Sequence, residues 1–298
     1  MGPSSRNNVW LAAFAVVALG SCKQTEGPVP AISPPDLQIV SAGNEPRRVL
    51  RYHAPKDTRQ RLELSVLVAL HAGEVGAPMP TIVLTLAYAV DAVMPNGQMT
   101  LRGTIEEIRA VETEGSKVPA AALNGPLETL KGLTIHSVLS PTGRITGSTL
   151  DTGGKTIAPE LDAQLQSLIR SFESTMMTLP EEAVGVGAVW RNSKPVDQNG
   201  MKLKAVNTVT LTALKGDAIE YSIDTDIHGA NQSVTQQGVT IEIEDIVGSG
   251  AGKGSLDLAT LAVTSELAAE LRSRMKATGE DEQPTNMTMS SKQTVRPL

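Results

Sequence analysis

The sequence contains one cysteine, Cys22, among 298 residues, and only 2% of its residues are aromatic. With a single cysteine no internal disulfide can form, so an apolar core must stabilise the fold. Sites for sugars and single-stranded nucleic acids usually stack their ligands on aromatic rings, and the scarcity of rings disfavours both ligand classes. A formal net charge of −6 further disfavours nucleic acid as a partner, because nucleic acids bind to basic surfaces.

Catalytic patterns are also missing. The triplet Asp151-Thr152-Gly153 matches the core of aspartic proteases, but that chemistry needs two carboxylates, and the second candidate, Asp224-Thr225-Asp226, lacks the glycine. We predict that Asp151-Thr152-Gly153 forms a turn before a helix, because all three residues favour turns. The segment Gly248 to Gly254 contains Lys253 but lacks the spacing of a phosphate-binding loop, so we predict a flexible hairpin loop there.

The histidines show no paired spacing that would bring metal ligands together. They are His53, His71, His136 and His228. We therefore predict isolated surface or edge-strand histidines, no metal site, no cofactor and no enzymatic activity. The opposing hypothesis, an enzyme, depends on Asp151.

An apolar N-terminal segment is the clearest feature that is present. Residues 9–19 form an uninterrupted apolar run of eleven residues, which suits a signal-peptide core, whereas a membrane-spanning helix needs about 20. The run ends in Leu19-Gly20-Ser21-Cys22, which resembles the lipobox of bacterial lipoproteins. This resemblance implies a signal peptide over residues 1–21, cleavage between Ser21 and Cys22, and attachment of acyl chains such as palmitate at Cys22.

The chain after the signal divides into a tether and one domain. Residues 22–46 are predicted to form the lipidated cysteine and a tether, because five prolines and two glycines follow Cys22 without periodicity. An alternative is that Leu37 to Val40 pairs as an edge strand. Residues 47–298 are predicted to form an antiparallel β domain. The acidic balance gives little attraction to anionic lipid, so the acyl chains must supply the membrane attachment.

Alternating apolar and polar residues predict strands through most of this domain. Leu62 to Leu70 and Ile82 to Val90 alternate, and Pro95-Asn96-Gly97 is typical of a hairpin turn. Val263 to Met275 fits a helix or a strand, and we predict that it forms a strand hairpin with the segment that contains Met287 and Met289. The predicted class is mainly β (α+β), with about a dozen mostly antiparallel strands in a curved sheet or half-barrel.

One long amphipathic helix is predicted over residues 159–178, packed on the sheet. Its apolar positions recur at helical spacing and form one stripe. They are Leu161, Leu165, Leu168, Ile169, Phe172 and Met176. Pro180 ends the segment, and residues 112–131 are predicted to be irregular.

Methionine and arginine give two further candidate surfaces. Met275, Met287 and Met289 are the candidate lining of an apolar ligand site, because flexible methionine side chains adapt to varied ligands. The alternative is that methionine simply fills a core that lacks rings. Six basic residues just after the tether face either lipid headgroups or solvent. They are Arg47, Arg48, Arg51, Lys56, Arg59 and Arg61.

Short motifs resemble those of a family of uncharacterised Gram-negative, myxobacterial-type envelope lipoproteins. They are Leu179-Pro180 followed by Val184 to Trp190, Leu50-Arg51-Tyr52, and Gly252 to Leu258. More distantly, the architecture is similar to half-barrel lipoproteins of the LolA/LolB type. The resemblance implies a carrier or binding role and no catalytic residues.

Two functional hypotheses follow. The first is a lipid-anchored, periplasm-facing lipoprotein that binds or carries an apolar ligand, a lipid or a lipoprotein, without catalysis. The second is a structural or accessory subunit of a cell-envelope complex that binds a protein partner. An aspartate directly after the lipidated cysteine retains some lipoproteins at the inner membrane, and this chain has Lys23 at that position. We therefore expect the protein at the outer membrane.

Overall fold

The computed structural model describes residues 36–73, 75–154, 176–198, 201–236, 239–277 and 284–298. This part of the chain is mainly β, as predicted. It contains sixteen strands and one helix, α1 (Ala120–Glu128). No helix in these ranges is long and apolar enough to cross a membrane.

The strands are numbered in chain order, and their bounds are as follows. They are β1 (Asp36–Ser41), β2 (Arg48–Val49), β3 (Arg59–Ala72), β4 (Val75–Pro78), β5 (Thr81–Val93), β6 (Met99–Val111), β7 (Thr134–Leu139), β8 (Ile145–Asp151), β9 (Ala183–Val184), β10 (Val189–Gln198), β11 (Met201–Lys215), β12 (Ala218–His228), β13 (Gln232–Gln236), β14 (Val239–Asp257), β15 (Val263–Ala277) and β16 (Thr285–Pro297).

Fourteen strands form one antiparallel sheet in the order β1-β10-β11-β12-β14-β15-β16-β3-β5-β6-β7-β8. Strand β13 pairs with β14 and β4 with β3, while β2 and β9 form a separate pair. Most neighbours in the sheet are consecutive hairpins. Two pairings join the two halves of the chain: β1 against β10, and β16 against β3, where Val295 lies opposite Leu64.

Thr178 and Leu179, which are neighbours in the chain, form hydrogen bonds to strands at opposite ends of this order. The Leu179 N–H donates to the carbonyl oxygen of Thr142 in the turn between β7 and β8 (2.9 Å). The carbonyl oxygen of Thr178 accepts from Nε1 of Trp190 in β10 (3.1 Å). Nine inter-strand spacings separate β10 from β7, which would be about 43 Å in a flat sheet. The described sheet therefore curls until its ends approach each other, although β1 and β8 remain its unpaired edges.

The main core lies on one face of this curled sheet, which we call the inner face. Trp190, Leu211, Leu101 and Val295 are buried in one cluster that takes residues from both ends of the strand order. A second group around Leu84, Ile105 and Leu133 is covered by α1 and the residues that follow it, and a third surrounds Ile243 and Leu271. The inner face thus carries separate apolar clusters rather than one continuous core.

The tether prediction is wrong for its second half. Asp36–Ser41 pairs with β10, with Ile39 opposite Trp190, so the alternative of an edge strand is correct. The next residues are also held in place, since the Asn44 N–H donates to the carbonyl oxygen of Val186. Residues 36–46 therefore belong to the folded domain and do not form a tether.

Residues 159–175 of the helix predicted over 159–178 lie outside the described ranges. Only its last three residues, Met176 to Thr178, are described, and they are not helical. The prediction of an irregular segment over 112–131 is wrong, because it contains α1. The strand hairpin predicted for the C-terminal segments is confirmed, with Leu271 of β15 opposite Met289 of β16.

Candidate functional site

The residues of the predicted lipobox, Leu19, Gly20, Ser21 and Cys22, lie outside the described ranges. The three candidate methionines do lie together. Met275 and Leu271 alternate on the inner face of β15, and Leu271 lies opposite Met289. Met287, two residues before Met289 on β16, shares that face, and all three methionines are half-buried. Met275 and Met289 border the third apolar cluster.

A row of polar side chains crosses the inner face beside these apolar residues. Asn192 of β10 lies opposite Asn207 of β11, which lies opposite Thr225 of β12. The Thr225 hydroxyl donates to Oδ1 of Asn207 (2.8 Å). We call these three residues the polar row. Trp190, two residues before Asn192 on the same face, belongs to the main core, so the polar row marks the border of that cluster.

The polar row continues across the sheet as residues with small side chains. Thr225 lies opposite Gly250, Gly250 opposite Ala269, and Ala269 opposite Ser291. Small residues at these positions separate the bulky side chains of the main core from those of the third cluster. The border between the two clusters therefore combines polar and small side chains with apolar residues on either side, and ligand sites likewise combine a few polar groups with apolar walls.

Strand β14 contributes glycine at every inner-face position from Gly248 to Gly254. A Cβ at Gly252 would lie 2.6 Å from the carbonyl oxygen of Glu266 on β15. Alternating glycines allow a strand to bend sharply and its neighbour to approach closely. The prediction of a flexible loop here is wrong, and the strand conformation also rules out a phosphate-binding loop, which must lead into a helix.

Lys194 is a cation on the inner face. It lies two residues beyond Asn192 on β10, opposite Ala205, and the next residue on that face, Val196, packs against the third cluster. Its side chain is half-buried, and burial lowers the pKa of the ammonium group below the ordinary lysine value. Within the described ranges no carboxylate forms an ion pair with it.

Asn192 carries a second unsatisfied group next to Lys194. Its Oδ1 atom is buried and accepts no hydrogen bond from the residues that the structure describes. A buried acceptor without a donor costs about 1–3 kcal/mol, so such atoms usually face a water molecule or a ligand. Sequence patterns alone did not select Lys194 or Asn192. The available signal was the alternation Trp190, Asn192, Lys194, Val196, which places polar residues inside an otherwise apolar face.

A smaller polar group lies at the other end of the strand order, in the hairpin of β7 and β8. Ser137 Oγ, Ser148 Oγ and Arg144 Nε are buried, and none of the three atoms has a hydrogen-bond partner in the described part of the chain. Sequence reasoning missed these residues too.

The aspartate motifs are not brought together. Asp151 ends β8, and its Oδ1 accepts from the N–H of Gly153 (2.8 Å) in a turn, as predicted for that triplet. Asp224 and Asp226 lie on β12, whose outer face they share with Ser222. Edge strand β8 and strand β12 are eight places apart in the sheet order, so these carboxylates do not form the paired site of an aspartic protease.

The histidines are distributed over different elements, and no group of three or more metal-ligating residues occurs in the described ranges. His53 lies in the loop after β2, 3.4 Å from Oδ2 of Asp217, and His71, His136 and His228 lie on three different strands.

Several residues of the arginine-rich segment form contacts within the chain. Arg51 donates to the carbonyl oxygen of Pro180 (2.7 Å) and pairs with Glu181 (2.7 Å). Arg61 pairs with Glu106 (2.8 Å). These contacts tie the start of the domain to other strands, so the described arginines have a structural role on the surface.

Comparison with known families gives one match. Residues 161–261 are similar to a family described as "Family of unknown function (DUF6263)". The match includes the polar row and Lys194, together with the glycines of β14. A comparison with curated proteins finds no match. The Val184 to Trp190 motif lies in the matched region. Close packing accounts for Gly185, because an added Cβ would collide with the carbonyl oxygen of Asn44, and Gly187 has a positive φ.

Proposed function

We propose that this chain is a non-catalytic envelope lipoprotein that binds an apolar ligand on the inner face of a half-barrel. The observation that carries the proposal is the half-buried state of apolar side chains on that face, where a folded core would bury them fully. They include Val68, Leu70, Ile227, Leu267, Met275 and Met289. Burial of apolar surface is favourable by about 25 cal/mol per Å². An apolar ligand that covers these side chains therefore gains affinity without new polar contacts.

Anchorage at Cys22 is part of the same proposal. An acylated Cys22 would hold the half-barrel at a membrane surface, where lipids and lipoproteins are available as ligands. The resemblance to LolA/LolB-type carriers that the sequence predicts, and the predicted outer-membrane location, would agree with that role.

The second hypothesis, an accessory subunit, receives less support. It requires a contiguous apolar patch on the outside of the domain. The large exposed apolar side chains are instead distributed over separate elements, with Val40 on β1, Val75 on β4 and Val247 on β14.

Native mass spectrometry of the full chain carrying Cys22→Ser tests the ligand proposal. We expect a co-purifying lipid in the spectrum, and a lower occupancy in Met275→Gln because a polar amide replaces an apolar wall. Met94→Gln is the matched control, since Met94 is an exposed turn residue between β5 and β6. Absence of bound lipid, together with no uptake of added palmitate or hexadecanol, would overturn the proposal.

A further inference from the structure

The Lys194 ammonium group lies on the inner face beside the polar row, a position that suits the headgroup of a ligand. Lys194 stands next to the polar row on β10, and its ammonium has no carboxylate partner within the described ranges. Other lysines nearby point the opposite way. Lys204 on β11 is exposed and lies opposite Pro195, on the outer face. A half-buried cation is costly unless an anion or hydrogen-bond acceptors compensate it.

The neighbouring amide extends this polar end. The buried Oδ1 of Asn192 lacks a donor among the described residues, and Oδ1 of Asn207 accepts from the Thr225 hydroxyl. Together these groups offer a cation and an acceptor on one patch. This combination suits a headgroup that bears an anionic oxygen and a water molecule or hydroxyl beside it.

An apolar row leads away from Lys194 along the inner face. Successive cross-strand partners run from Lys194 through strands β11, β12, β14 and β15 to β16. They are Ala205, Ile227, Gly248, Leu271 and Met289. Five inter-strand spacings give this row a length of about 24 Å. One leaflet of a bilayer has a hydrocarbon thickness of about 15 Å, so the row is long enough for a membrane-lipid acyl chain.

We propose that the ligand is an anionic amphiphile, whose headgroup oxygen pairs with the Lys194 ammonium beside Asn192 and whose acyl chain lies along the row towards Met289. This inference rests on the proposed function and specifies its ligand class. A fatty acid and a lysophospholipid with an anionic headgroup both have this chemistry. Binding is non-covalent and leaves the ligand unchanged.

Equilibrium dialysis of the full chain carrying Cys22→Ser tests the inference with three radiolabelled probes: palmitate, lysophosphatidylglycerol and uncharged hexadecanol. The variant Lys194→Met keeps an unbranched side chain but removes the charge. We expect it to weaken palmitate or lysophosphatidylglycerol binding at least about tenfold, the effect of losing one charge-assisted hydrogen bond, and to leave hexadecanol binding unchanged. The anion that binds more tightly identifies the source of the headgroup.

Two further variants complete the test. Lys204→Met removes a lysine from the outer face and should leave all three affinities unchanged. Asn192→Asp places a carboxylate two residues from Lys194 on the same face, so it should pair with the ammonium and weaken anion binding even if Lys194→Met does not fold.

The outcomes separate this inference from the proposed function. Equal binding of anionic and uncharged probes, unaffected by Lys194→Met and Asn192→Asp, would overturn the anionic ligand and leave the apolar ligand in place. Failure of all three probes to bind would overturn both.

Discussion

Three tyrosine hydroxyls are buried in or beside the main core. Tyr52 donates to the carbonyl oxygen of Met177 (3.0 Å), and Tyr88 donates to that of Leu261. Burial raises the pKa of Tyr52, Tyr88 and Tyr221 above the ordinary tyrosine value. The native state therefore keeps protons that the unfolded chain loses above about pH 10.

This difference predicts alkaline destabilisation. The contribution of each tyrosine to the free energy of unfolding is fully present below pH 10 and falls by about 1.4 kcal/mol per pH unit as the pH rises from there towards the raised native pKa. Tyr52→Phe should lose about 1 kcal/mol at pH 7, because its hydrogen bond is removed, and should show a shallower slope above pH 10. Urea unfolding at pH 7, 9, 10.5 and 11 measures both effects.

The comparison of variants isolates the effect of Tyr52 ionisation on stability. The lowered pKa of Lys194 has the opposite effect, since it makes stability rise with pH up to about 10.5, but this effect is the same in the wild type and in Tyr52→Phe. Identical slopes above pH 10 in the wild type and Tyr52→Phe would show that Tyr52 ionises equally in both states.

At the scale of elements, β14 depends on glycine for its close approach to β15. We expect Gly252→Ala to destabilise the fold by about 1–3 kcal/mol, because its Cβ would lie 2.6 Å from the carbonyl oxygen of Glu266, a backbone atom that cannot rotate away. Chemical denaturation measures the change in the free energy of unfolding.

Gly125→Ala is the matched control for this substitution. Gly125 lies inside α1, and no atom stands within 4 Å of its added Cβ. Alanine favours a helix over glycine by about 0.5–1 kcal/mol, but its Cβ is opposed by the ring of Pro126, so this variant should stay within about 1 kcal/mol of the wild type. Equal stability of Gly252→Ala and Gly125→Ala would contradict the packing argument for β14.

The same strand shows why the sequence predicted some elements and not others. Alternation identified β3 and β5 because each has apolar residues at every second position. The glycines of β14 carry no hydrophobic signal, and only pairing with β12 and β15 holds them in a strand. Helix α1 was missed because Gly125 and Pro126 interrupt it. It is held by tertiary contacts, including the Ala110 N–H that donates to Oδ1 of Asn124 (2.7 Å).

In the candidate site, too, local sequence patterns predicted some residues, whereas others depend on pairing between distant strands. Met275, Met287 and Met289 were predicted because they are close in sequence across one hairpin. The proximity of Asn192 to Asn207 and Thr225 depends on the pairing of three strands, and the position of Lys194 relative to Met289 depends on six. Local patterns do not contain that long-range register, which the main core and the bulges between strands determine.

At the scale of the whole molecule, the beginning of β1 at Asp36 limits the reach of the anchor. Thirteen residues, 23–35, separate Cys22 from the folded part, and even a fully extended chain of that length spans only about 45 Å. If Cys22 is acylated, the domain must therefore remain near the membrane surface. A ligand taken from that membrane would have a short path to the inner face.

Substitution of Cys22 tests this arrangement directly. The net charge of −6 gives the chain little attraction to anionic lipid, and one acyl chain alone binds membranes only marginally, so the two or three chains expected on Cys22 must supply the attachment. Cys22→Ser should abolish incorporation of labelled palmitate and move the protein from the membrane to the soluble fraction or leave it unprocessed. Gln24→Ser, two residues beyond the predicted lipobox, should keep both label and membrane location. Cys22 carries the single thiol of the chain. Palmitate incorporation that persists in Cys22→Ser would therefore show that the acyl chains are attached to a group other than a thiol.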